Sequence, residues 1–123
     1  MSNEYISVNR LASSVAQKYP DSLHVVVYFD NFYNSDFNRI NIVPLKLAYI
    51  NKRKTFKPVT DLFPDMRYIS APNFLVKNFK KGFAKLIIDV KETKNKQEDW
   101  TFHTMHIYPV NNTRLHEKLN PAT

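Results

Sequence analysis

The sequence predicts an α+β domain in which a mainly antiparallel sheet of about four to five strands carries an N-terminal helix on one face and a short second helix. Three observations lead there. An early stretch repeats apolar residues at three- and four-residue spacing, several later stretches are β-branched and aromatic or alternate apolar with polar, and 43% hydrophobic and 14% aromatic residues suffice for a core without cross-links. At 123 residues the chain fits one unit, so residues 1–123 are read as a single domain with a polar C-terminal tail from about residue 111.

The helix follows Ser7, where Val8, Leu11, Ala12, Val15, Ala16 and Tyr19 share one stripe. Ser7 can cap its start, and Pro20-Asp21 stops it, because proline disfavours helical geometry in the residue before it. Leu23 to Phe29 is a β-branched and aromatic run, expected to be a buried strand. The asparagine-rich residues 30–38 are expected to form a loop. Ile40 to Ile50 is strand-like, but its apolar phase moves from Ile40 and Ile42 to Leu45, Leu47 and Tyr49, which a bulge or edge position at Pro44 would reconcile.

Asn51-Lys52-Arg53-Lys54 reads as a turn, Phe56 to Phe63 as irregular, and Met66 to Ser70 as a brief strand. Pro72 to Lys81 suits the second helix, with proline in its first turn, Gly82 after its end, and Lys77, Lys80 and Lys81 on its polar side and last turn. Two strands finish the core. They are Ala84 to Lys91, with Leu86, Ile88 and Val90 alternating, and Trp100 to Val110, with Trp100, Phe102, Tyr108 and Val110 in phase.

Composition excludes whole classes of chemistry. Without cysteine there are no disulfides, thiolate metal sites or cysteine nucleophiles. Gly82 is the sole glycine, so a phosphate-cradling loop built from repeated glycines cannot exist. No small-molecule cofactor is expected. The start Met1-Ser2-Asn3-Glu4-Tyr5 lacks the pattern of a secretory signal, and no segment reaches the roughly 18 apolar residues of a membrane span, so a cytoplasmic protein without a membrane partner is expected.

The net charge of +7 is concentrated. Nine basic residues against Asp61 and Asp65 lie between Lys52 and Lys85, while the flanking segments are each balanced. Such a segment attracts polyanions. Candidate phosphate contacts are Lys52, Arg53, Lys54, Lys57, Lys77, Lys80, Lys81 and Lys85, with Tyr68 and Phe74 as stacking partners if exposed.

One spacing resembles the restriction-endonuclease-like nucleases: Pro64-Asp65, then Asp89-Val90-Lys91 ending an apolar strand. That resemblance implies a divalent cation on the two acids and a lysine positioning water. Asp89 and Lys91 read equally as the wet face of a half-buried strand; the family's helical acid would have to be Glu4, ahead of the helix. His103 and His106, three residues apart, point to opposite faces of a strand and converge only on a helix, so no metal site is assigned.

The sequence thus predicts a small basic nucleic-acid-binding protein, non-enzymatic, using the 52–85 region. The alternatives are a small inhibitor or regulator of virus or mobile-element type that docks an acidic surface of a partner protein, and a metal-dependent nuclease. Nucleic acids and acidic protein faces ask for the same lysines.

Overall fold

Ser7 decides where the chain becomes helical. Its backbone is extended and its side chain accepts a hydrogen bond from the Arg10 N–H at 3.1 Å, satisfying one of the open donors of the first turn. The computed structural model describes residues 4–34, 38–73, 82–90 and 105–109. Within them the chain runs β1 (Tyr5–Ser7), α1 (Val8–Lys18), β2 (Ser22–Asn34), β3 (Arg39–Asn51), β4 (Phe56–Pro58), β5 (Tyr68–Pro72), β6 (Ala84–Asp89) and β7 (Met105–Pro109).

These strands form one seven-stranded sheet in the order β1-β5-β3-β2-β6-β7, with β4 beside the far part of β3. The β1–β5 pair is parallel and every other pair antiparallel. α1 covers one face: its Val8, Leu11, Ala12, Val15 and Ala16 are buried in one cluster with Ile6, Val25, Val27, Phe29, Ile42 and Leu86. The helix ends where the Tyr19 N–H bonds the Val15 carbonyl, and the Tyr19 ring stacks on Tyr49 with centroids 4.2 Å apart.

The second face has a smaller core of its own, Val26, Tyr28 and Ala48, with Ile50 packed against it. Around that centre it presents polar and aromatic groups. Burial is therefore asymmetric, with the bulk of the apolar area on the helix side.

The expected change of phase at Pro44 is present, and its device is a bulge. Pro44 pairs with Phe29, and the β2–β3 register shifts on both sides of that pair. Ile40 and Ile42 before the shift and Leu47 and Tyr49 after it consequently all face the helix-side core.

The architecture corrects the expected fold class. The sheet has seven strands rather than four or five and is mixed, the β1–β5 pair being parallel, and α1 is the one helix among the described residues, so the protein is mostly β. β1 and β4 are three residues each, too short to show a period, and β1 finds its partner more than sixty residues away, Tyr5 opposite Tyr68. β2 runs on through Asn34, where a loop was expected, because its polar residues still pair across to β3 at Asn31, Tyr33 and Asn34.

The second helix lies outside the described residues but for Pro72 and Asn73, and Pro72 closes β5 opposite Arg39 instead of opening a helix. In β7 the phase is the reverse of that expected: Ile107 packs against the main core, whereas Tyr108 is exposed.

Candidate functional site

The basic tract forms the tip of the β3–β4 hairpin. Asn51, buried to 6% exposure, organises it: its Oδ1 accepts from the Arg53 and Thr55 N–H groups, each at 3.0 Å. The Asn51 N–H bonds the Thr55 carbonyl, the Lys54 N–H bonds the Asn51 carbonyl, and the Lys52 N–H reaches the Asp21 carbonyl in the turn before β2. This is a side-chain-templated turn, and it holds Lys52, Arg53 and Lys54 on the surface. No described carboxylate pairs with any of the three.

Lys54 occupies the left-handed region with φ 66°, a conformation that costs a residue bearing a Cβ roughly 1–2 kcal/mol. Lys54→Gly is therefore expected to stabilise the fold by about 0.5–1 kcal/mol. A thermal melt would register this as a rise of roughly 2–4 °C. A melting temperature that falls would show that the lysine side chain contributes to the turn.

The structure divides the other candidates. Lys57 is exposed on β4 but pairs with Tyr49, which puts it on the helix side of the sheet. Lys85 is half-buried on the second face, where the pairings align Lys46, Tyr28, Lys85 and Tyr108 in one row across β3, β2, β6 and β7. That row is five residues along β3 from the turn, about 17 Å at strand rise. Burial pushes the Tyr28 phenol above its ordinary range. Phe74, Lys77, Lys80 and Lys81 lie outside the described residues.

Tyr68 is on the second face but is not an open ring. Tyr5 stacks on it at 4.9 Å, and Tyr33 meets it edge-on at 6.5 Å. Among the described residues the accessible rings belong instead to Tyr5 at 55% exposure, Tyr33 at 50%, Phe56 at 48% and Tyr108 at 44%. Asn31 Nδ2 donates to the Tyr33 hydroxyl at 2.9 Å, fixing that ring, and Arg39 is anchored alongside by bonds from its Nε and Nη2 to the Ser70 hydroxyl and carbonyl.

Lys46, Tyr5 and Tyr33 escaped the sequence reading and Tyr108 was read as core, because all four lie outside the basic segment and join it only through cross-strand pairing. Alternation around Lys46 was the one local signal available.

Asp65 sits in an exposed turn between β4 and β5, and Asp89 at the end of β6 pairs with His24. Lys91 is outside the described residues, and among those described no three His, Asp or Glu side chains come together as metal ligands. No helix among the described residues is long and apolar enough to cross a membrane.

A family model described as "Protein of unknown function (DUF4108)" matches residues 3–122. The chain belongs to this family. No curated protein and no solved structure matches it.

Proposed function

We propose that this chain is a small, non-enzymatic nucleic-acid-binding protein that sequesters, coats or regulates DNA or RNA in the cytoplasm, without a cofactor or a membrane partner. The observation that carries the reading is the hairpin tip, where three adjacent cations stand on a hydrogen-bonded turn and pair with no carboxylate among the described residues. Cations held in this way release condensed counterions when they meet a chain of phosphates. Lys46 and Lys85 extend the positive charge down the second face, and Lys57 extends it to the other side of β4.

The test is fluorescence anisotropy with labelled oligonucleotides at 50 mM salt, comparing the natural chain with the Lys52→Ala, Arg53→Ala, Lys54→Ala triple variant. Asn51 and its hydrogen bonds remain in that variant, so its fold should survive, which circular dichroism checks. Affinity is expected to fall by roughly a hundredfold, as for the loss of about three phosphate contacts. Absence of binding by the natural chain at 50 mM salt would sink the proposal.

One observation favours the second reading, docking onto an acidic partner protein. A cavity of about 420 Å³ opens beside β3 between β4 and β5, lined mainly by Pro44, Leu45, Leu47, Pro58, Val59 and Met66, with Lys46 at its wall. Leu45 is 42% exposed there. An apolar notch beside a lysine would anchor a protein side chain, and a protein partner would be lost on Leu45→Asp while nucleic-acid binding would not.

A further inference from the structure

Lysines do not distinguish a duplex from a single strand, because both offer phosphates; aromatic rings do. In a duplex the faces of the bases are stacked on one another, whereas an unpaired base can lay its face on a side chain. Besides Phe56, 48% exposed opposite Ile50 beside the hairpin, the second sheet face carries its accessible rings at two places. One is the Tyr5, Tyr68, Tyr33 group at the β1–β5–β3–β2 end, where Tyr5 and Tyr33 flank Tyr68. The other is Tyr108, at the β7 end of the row containing Lys85, Tyr28 and Lys46.

These stations share a face and a direction. Tyr33 pairs with Asn41, Tyr28 with Lys46, and Asn51 opens the basic turn, so rings, lysines and hairpin follow one another along β3 over ten residues, about 33 Å. With Phe56 lying between the Lys46 row and the turn, phosphate-binding groups in the middle and at the hairpin alternate with rings along β3, the arrangement a flexible strand can follow by turning its bases toward the sheet. A rigid duplex could touch the lysines but has no base face to give the tyrosines.

We infer that the ligand is single-stranded nucleic acid, bound along the second sheet face with bases stacked on Tyr33, Tyr5 and Tyr108 and phosphates on Lys46, Lys85 and the hairpin. This rests on the nucleic-acid reading above and narrows it to one substrate class. Ring stacking is indifferent to sugar type, so single-stranded DNA and RNA share the chemistry.

The experiment measures anisotropy at one salt concentration with a 20-nucleotide DNA strand, the same sequence as RNA, and the DNA duplex. Probes are titrated with the natural chain, a Tyr33→Ala, Tyr108→Ala variant, and its Tyr33→Phe, Tyr108→Phe counterpart. The natural chain is expected to bind at least one of the two single strands more tightly than the duplex. The alanine variant should weaken single-strand binding by about 5- to 150-fold per ring and leave the duplex unchanged, while phenylalanine, which keeps the ring, restores it.

Equal or tighter binding of the duplex by the natural chain overturns the inference, a result that does not depend on how the variants fold. So does single-strand affinity unmoved by alanine. In both cases the broader reading stands. If no probe binds, that reading fails and takes the inference with it.

Discussion

Phe29→Ala is expected to destabilise the protein by about 3–5 kcal/mol, the range for removing a large aromatic side chain from a closed core. Phe29 is fully buried on the helix side, at the point where the β2–β3 register shifts. Its cross-strand neighbours are Pro44 on one side and Ala84 on the other, both too short to lean into the space a benzyl group would leave. The cavity should therefore persist, and the cost should sit high in the range. With a folding entropy of roughly 2 cal/mol/K per residue, the melting temperature should drop by about 10–20 °C. Phe56→Ala, at a ring 48% exposed on β4, is the control and should cost less than about 1 kcal/mol. Comparable losses for the two would mean that the bulge region does not pack as a closed core.

The same bulge shows which parts of the fold could be read from the residues. A helix capped by Ser7, two long strands, and a break of phase at Pro44 each leave a local record, since period and capping act within a few residues. β1 and β4 leave none. Their existence depends on β5 and β3 supplying a hydrogen-bonding edge, and three residues contain no period to detect. The asparagines of β2 carried a turn signal that antiparallel pairing with β3 overrode. Tyr108 was assigned to the core from a strand whose first half is outside the described residues, whereas Ile107 faces the core.

The candidate site was legible to a similar degree and for the same reason. Lys52, Arg53 and Lys54 are contiguous in sequence and remain together on the turn. Lys57 and Lys85, joined to them by charge counting, go to opposite faces of the sheet, because strand alternation and not sequence distance decides the face. Lys46 and the exposed tyrosines come from segments with no excess charge, so only the register brings them into the argument.

Salt is expected to have the largest effect on binding. If about five phosphates are neutralised by the hairpin and the Lys46 and Lys85 row, log affinity should fall against log salt with a slope near −3.5 for a single strand, or near −4.5 for a duplex. A rise from 50 to 200 mM is ~0.6 log units, which gives a weakening of roughly one hundred- to several hundredfold. Alanine at Lys52, Arg53 and Lys54 removes about three of those contacts, so the single-strand slope should shrink to about −1.4 and the same salt step should cost only about sevenfold. A protein held by the notch beside Leu45 would behave otherwise, since apolar anchoring is not screened by ions and only rim charges respond. Anisotropy titrations at four salt concentrations, with the natural chain and the triple variant, separate these cases by slope. A shallow slope identical in both proteins would exclude the hairpin as a phosphate contact, because a cation that releases no counterions is not touching the backbone of a nucleic acid.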